Sequence, residues 1–256
     1  MIKRVIKLFQ IARKLSTSGA IDTINQVHQI PLSINLFFSL ISIGSKNIRF
    51  NDNKKPGQKL CEALQGMGTT FIKLGQFLAT RPDIIGEEMA KDLEKLQDKV
   101  PAFELYEAKK VIKREIGEKQ YQNIIEIGEP IAAASIAQVH FAKIKNENQE
   151  KLVAIKILRP DIERLFNEEL DALMLFAYIV ENTISKAKRL KLVEVVYLLR
   201  EITNIEMDLR FEAAAANELY ENTKLDKGFN VPKIYWNYTT KKILTLDKVD
   251  GISIRE

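Results

Sequence analysis

The sequence predicts an α+β fold built on one small antiparallel sheet, and three observations carry that prediction. Apolar residues recur at helical period through the first half of the chain. Two segments, IIEIGEPIAAASIAQVHFAKI and KLVAIKIL, then alternate apolar and polar side chains at strand period. Helical spacing returns after Ile162, ahead of a last strand-like stretch. Helices, strands, helices and strands in blocks point to segregated layers and not to a parallel βαβ plan. At 256 residues, 46% hydrophobic and 29% charged, the chain has the composition of a globular protein with one or two cores.

In chain order, MIKRVIKLFQIARKLS sets Ile2, Val5, Ile6, Phe9, Ala12 and Leu15 near helical period with Lys and Arg between them. That is a basic amphipathic helix, able to lie in a bilayer interface or dock on the protein. Residues 23–45 carry no charged side chain, yet their apolar part runs only about fifteen residues and contains Pro31, Ser33, Asn35, Ser39 and Ser42. A spanning helix needs roughly twenty, so a buried or interfacial helix is expected there. These segments form a first region, 1–50, followed by a polar linker at 51–57. Leu60, Leu64, Phe71, Leu74 and Leu78 predict one helix over 58–80, stopped at Arg81-Pro82-Asp83. Helices over 87–99 and 106–115 complete a helical region at 58–120. From 121 to 256 the sequence predicts three antiparallel strands with a turn at 145–151, and helices over 162–185 and 192–220 that form an insertion (161–222). VPKIYWNYTTKKILTLDKVDG then predicts a hairpin turning at Thr239-Thr240-Lys241.

Composition narrows the chemistry. A single cysteine, Cys61, cannot close an intramolecular disulfide. Two distant histidines, His28 and His140, make a zinc site or a Cys/His protease a poor fit. The net charge of +5 is uneven: residues 1–60 hold ten basic and two acidic side chains, a net of +8 that leaves −3 for the rest. A basic segment beside a mildly acidic body points to an anionic partner. It lacks the interleaved aromatics of a nucleic-acid platform, so an anionic or inner membrane surface is expected and nucleic acid is not.

Four constellations could carry chemistry. Ala132, Ala133, Ala134 and Ser135 lie between strands, where small side chains would let backbone N–H groups approach a phosphate; a close-packed turn has the same composition. Lys156 of VAIK follows on the next strand, the arrangement in which a kinase lysine reaches nucleotide phosphates. Glu206, Asp208 and Glu212 fall on a predicted helix, with Asp208 and Glu212 sharing a face; an acidic surface stripe would look the same. In FIKLGQFL, Gly75 costs a helix about 1 kcal/mol relative to Ala and is tolerated where another backbone or a ligand must come close, while Lys73 and Gln76 offer a donor pair from one face; a solvated polar pair on a core helix would look the same.

Together and in this order, KLGQFLATRPDII, EKLQDKVP, AAASIAQVH, VAIKILRPDIE, EMDLRFEAAAANE and VPKIYW…ILTLDKVDG resemble the UbiB (AarF/ADCK-like) family of atypical kinases, associated with ubiquinone biosynthesis. The resemblance implies a protein-kinase-like N-lobe with a helical N-terminal extension. It implies that Lys156 is the nucleotide-phosphate lysine and Glu212 its acidic partner. It also makes Lys73, Gly75 and Gln76 a KxGQ helix laid across the active site, engaged by the ExD residues Glu206 and Asp208. Ala132, Ala133, Ala134 and Ser135 match the alanine-rich loop that replaces a glycine-rich one and alters nucleotide preference. Leu246, Asp247, Lys248 and Val249 match the hinge that binds an adenine edge. ATP or ADP with Mg²⁺ is the implied cofactor.

The family's HxDxHPGN-like catalytic segment and its DFG motif are not found in this sequence. Phosphoryl transfer needs those Asp and Asn side chains. The expectation is therefore an N-lobe without its C-lobe, truncated or split, with no metal ligands of its own and inactive alone. Its implied partners are a separately encoded C-lobe and ubiquinone-biosynthesis proteins. Its implied location is peripheral, on the cytoplasmic side of a bacterial inner membrane or the organelle equivalent. The alternative is a non-catalytic scaffold or pseudokinase module of the same machinery. Apolar surface that normally faces a C-lobe also predicts self-association or reliance on a partner.

Overall fold

A computed structural model describes residues 2–17, 36, 39–40, 54–96, 100–147, 149–183 and 185–252. The helix expected over 23–45 falls almost wholly outside these residues, as do His28 and the first part of the 51–57 linker. In chain order the elements are α1 (Ile2–Thr17), α2 (Pro56–Met67), α3 (Thr69–Ala79), α4 (Pro82–Ile85), α5 (Glu87–Leu93), α6 (Leu105–Tyr121), β1 (Ile124–Ala133), β2 (Ala137–Asn146), β3 (Gln149–Leu158), α7 (Ile162–Thr183), α8 (Leu192–Glu206), α9 (Leu209–Thr223) and β4 (Ile243–Asp247). Short 3₁₀ turns lie at Ser185–Leu190 and Trp236–Tyr238. The chain divides into two compact units, a helical one from Met1–Asp98 with Glu163–Glu201 and a sheet-bearing one from Lys99–Ile162 with Ile202–Glu256.

The sheet is antiparallel throughout, in the order β1-β2-β3-β4. Alternation sorts its faces as the sequence predicts. Val153, Ile155 and Ile157 of β3 are buried with Ala142 and Ile144 of β2, Ile243 of β4, Ala108, Val111 and Ile112 of α6, and Tyr235 and Tyr238. Each such isoleucine contributes about 2 kcal/mol by leaving water. The intervening residues Ala154 and Lys156 point to the other face, opposite Phe141 and Val139 of β2 and Leu246 and Leu244 of β4. Strand β1 is irregular, with register shifts between Ile124 and Glu126, Ile127 and Pro130, and Pro130 and Ala132.

In the helical unit, Leu60, Leu64 and Met67 of α2 are buried, as are Phe71 and Ile72 of α3, Leu93 of α5, and Leu96. Helix α1 docks through Ile11 and Ala12, both buried, and the Lys7 ammonium reaches the buried Glu169 carboxylate of α7 at 3.3 Å. Glu181 of α7 accepts a hydrogen bond from the Val193 N–H at 2.9 Å, satisfying a first-turn donor of α8. Arg200 of α8 pairs with Asp171 of α7 at 2.7 Å.

Five element boundaries depart from the sequence expectation. The single helix expected over 58–80 is two helices, because Gly68 at φ 109° turns the chain and donates its N–H to the Gln65 carbonyl. The helix expected over 87–99 is shorter, as Glu87–Leu93. Helix α6 runs past Glu115, with Gly117 at φ 80° kinking it. The helix expected over 192–220 breaks at Asp208, which leaves helical geometry (φ −119°, ψ 93°) to cap α9. The closing hairpin yields only β4, since residues 236–238 form a 3₁₀ turn and Ile234 makes an isolated bridge to Leu246.

Candidate functional site

Lys156 sits near the end of β3, between Val139 of β2 and Leu244 of β4. Its ammonium donates to both carboxylate oxygens of Glu212, at 2.9 and 2.7 Å. Glu212 lies in the first turn of α9, where a carboxylate also favours the helix dipole. The two residues are 56 positions apart, and the lysine and glutamate side chains are 30% and 50% exposed. A pair this wet contributes at most about 1 kcal/mol to folding. Its significance is positional: a fixed ammonium stands on a half-buried sheet face lined by Val139, Phe141, Ala154 and Leu246. An apolar surface with one oriented cation can take a flat heterocycle and an anionic tail.

The alanine-rich segment divides between strand and turn. Ala132 and Ala133 end β1, while Ala134 and Ser135 form the turn into β2. The Ala134 N–H donates to the Ala137 carbonyl at 2.8 Å. The Ala134 carbonyl accepts from Arg159 Nε and Nη2 at 3.1 and 2.9 Å. Ser135 is fully buried, and its Oγ makes no hydrogen bond. In the segment that the resemblance reads as a hinge, Leu246 and Asp247 close β4, and Lys248 and Val249 follow. The Asp247 N–H donates to the Lys233 carbonyl and the Lys248 N–H to the Leu152 carbonyl, at 3.0 and 3.1 Å. The Tyr235 hydroxyl donates to Asp247 Oδ1 at 2.6 Å, and burial followed by that bond holds the phenol well above its ordinary pKa. The Lys248 ammonium pairs with Asp250 and lies 5.0 Å from the centre of the Phe141 ring.

The acidic trio does not share one helix. Glu206 ends α8, Asp208 caps α9, and Glu212 lies inside α9. The Asp208 carboxylate accepts from the Arg210 N–H and from Arg210 Nε and Nη2, which holds it below the usual carboxylate range. Asp208 and Glu212 therefore do different things: one closes a helix end, the other meets a lysine.

Lys73, Gly75 and Gln76 lie on α3 in the helical unit, with Gly75 buried and the other two half-buried. A Cβ at Gly75 would stand 2.3 Å from Leu96 Cδ1 and 2.8 Å from Leu64 Cδ1. Two packed leucine side chains stand there, where the sequence led one to expect another backbone or a ligand.

Sequence reasoning gave no role to Gln138, His140 or Arg159, although all three stand in the quoted motifs. Gln138 and His140 are fully buried on β2. Gln138 grips Phe103 twice, accepting its N–H at 2.8 Å and donating to its carbonyl at 3.0 Å. It also donates to His140 Nε2, and His140 Nδ1–H donates to the Gly128 carbonyl, both at 2.8 Å. Both ring nitrogens of the histidine thus have partners inside the fold, as a structural side chain requires. The signal was available: polar side chains that fall on the buried face of a strand must have partners.

Among the described residues no group of three metal-ligating side chains converges. Nor is any helix there long and apolar enough to cross a membrane. Cys61 is buried, and burial pushes its thiol pKa up, which suits a packing role.

A four-stranded antiparallel sheet with a strand lysine paired to a helix glutamate is the architecture of a kinase-like N-lobe. Residues 95–256 match the ABC1 atypical kinase-like domain, and the chain belongs to that family. Proteins described as "Probable protein kinase UbiB" are its relatives. The one from Marinobacter nauticus is 34% identical over 254 residues, covering 99% of this chain and 45% of the relative. That from Pseudomonas aeruginosa PAO1 is 37% identical over 201 residues, 78% of this chain and 37% of the relative. The Azotobacter vinelandii protein is 35% identical over 195 residues, 76% and 36% respectively. The chain spans less than half the length of these curated relatives.

Proposed function

We propose that this chain is the nucleotide-binding part of a UbiB-like atypical kinase or ATPase acting in ubiquinone biosynthesis. The observation that carries this reading is the Lys156–Glu212 pair, in register with an apolar sheet face. Lys156 would hold phosphate oxygens as a point charge, and Glu212 would keep it from folding back or swinging into solvent. Val139, Ala154 and Leu246 offer the apolar seat for a base. Because the Asp247 and Lys248 N–H groups already donate within the sheet, the hinge donor for an adenine edge would be the Val249 N–H. Mg²⁺ with the nucleotide would supply charge neutralisation at the phosphates, and no residue of this chain is assigned to it.

Peripheral membrane attachment is part of the same proposal. Ile6 and Phe9 of α1 are each 53% exposed while Ile11 and Ala12 are buried, so the helix docks by one face and keeps apolar side chains outward on a basic segment. Titration of the chain with Mg-ADP and Mg-ATP tests the nucleotide reading. Binding that weakens at least about tenfold in Lys156→Ala supports it, since a charge-assisted contact to phosphate is lost. No binding, or equal binding by wild type and Lys156→Ala, overturns it. Sedimentation with anionic vesicles, lost in Ile6→Glu/Phe9→Glu, together with absent nucleotide binding would favour the scaffold.

A further inference from the structure

The backbone at the alanine-rich turn is held by a side chain that lies outside it. Arg159, the first residue after β3, donates Nε and Nη2 to the Ala134 carbonyl and Nη2 also to the Val100 carbonyl at 3.2 Å. Its guanidinium lies 5.8 Å from the centre of the Phe103 ring, and its own N–H donates to the Ile136 carbonyl at 2.9 Å. One residue thus fastens both sides of the turn, Ala134 and Ile136, and ties them to the segment 100–103 that leads into α6. Gln138 secures the same segment through both backbone groups of Phe103. The turn needs such a hold. Alanine pays to adopt the positive φ through which glycine loops fold onto a phosphate, none of residues 132–135 does so, and the Ser135 hydroxyl makes no hydrogen bond to brace the turn.

We propose that Arg159 is a positioning residue for the nucleotide site: by bridging the Val100 and Ala134 carbonyls it fixes the alanine-rich turn and so sets how the site discriminates nucleotides by their phosphates. The bridge needs a planar fork with several donors, so lysine, which keeps the charge but offers one point, does not replace it. The same bridge makes the 100–103 segment a handle on the turn: displacing that segment would pull on Ala134 directly. This inference rests on the nucleotide reading for its consequence, while the hold on the turn stands on the hydrogen bonds alone.

The test compares the wild-type chain, Arg159→Lys and Lys156→Ala. It reads amide hydrogen exchange at 133–136 and the ratio of Mg-ADP to Mg-ATP affinity, with thermal unfolding as the check on folding. In Arg159→Lys, exchange at 133–136 is expected to rise about tenfold while the β3 amides at 153–157 stay protected. The affinity ratio is expected to change several-fold. Lys156→Ala weakens both nucleotides and leaves exchange at the turn unchanged. A folded Arg159→Lys chain with wild-type exchange at 133–136 overturns the proposal, as does raised exchange with an unaltered affinity ratio. A wild-type chain that binds neither nucleotide overturns the nucleotide reading and with it the selectivity claim; the hold on the turn then stands or falls on exchange alone. Should Arg159→Lys fail to fold, Phe103→Leu leaves Arg159 in place while removing the ring its guanidinium lies over, and the same two readouts decide.

Discussion

The two units use their signature residues in different ways. In the sheet-bearing unit, Lys156 and Glu212 meet in a hydrogen-bonded pair that stability hardly needs. In the helical unit, the signature glycine is defined by what stands against it, with Leu96 and Leu64 occupying the space a side chain would take. Gly57 repeats the theme: a Cβ there would stand 2.6 Å from both Cβ and Oδ2 of Asp92, at the first turn of α2. A short motif can set a charged contact in one region and a packing tolerance in another, and only the surroundings tell them apart. Substitution of Lys156 should therefore register in binding, and substitutions of Gly57 and Gly75 in stability.

The largest stability effect is expected at Gly57→Ala. The obstructing atom is close to the α5 backbone and cannot swing away, so overpacking should cost about 2 kcal/mol, read by denaturant unfolding. A neutral result would remove the distinction between the units. At Gly75→Ala the obstacles are leucine methyl groups, which can shift, and alanine gains helix propensity. The net loss should be about 1 kcal/mol, with nucleotide affinity within twofold of wild type.

Asp208→Ala removes the cap of α9 and should cost about 1 kcal/mol. Because Arg210 holds the Asp208 carboxylate below its ordinary range, the contribution is present above the ordinary pKa and is lost as pH falls through the lowered one. Asp208→Asn, which keeps a capping oxygen but loses the charge, should therefore flatten the acid limb of a stability-versus-pH curve, falling below wild type at neutral pH and meeting it in acid. The smallest effect is expected at Glu212→Gln, under about 1 kcal/mol by the same unfolding measurement, because its partner is partly hydrated. A loss several times larger would make the pair structural.

Most of the fold was legible because strand period and helix period differ. Alternation through AQVHFAKI and KLVAIKIL gave the sheet and both its faces, and the order of motifs gave the family. Boundaries were less legible where one residue outweighed a run. Gly68 stands within a run of helical spacing, yet its positive φ ends α2. Asp208 sat in helical spacing, yet its short carboxylate reaches the Arg210 N–H and caps α9 better than it would continue α8. Of the site, Lys156 and Glu212 were readable as a pair through the resemblance alone, since no local pattern links residues 56 positions apart. Arg159 was unreadable because its partners are backbone carbonyls, which every residue has.

The broken register of β1 has a consequence for how the chain behaves in a crowd. This strand is one edge of the sheet, and β4, the other, has its outer side engaged by Tyr235 and Lys233. Three register shifts and Pro130 on β1 spoil the even row of donors and acceptors that a foreign strand would need for pairing. Association between copies of this chain, where it occurs, should therefore proceed through side-chain faces. Light scattering at rising concentration should find assemblies that dissolve on dilution, without the thioflavin signal of a sheet growing strand by strand.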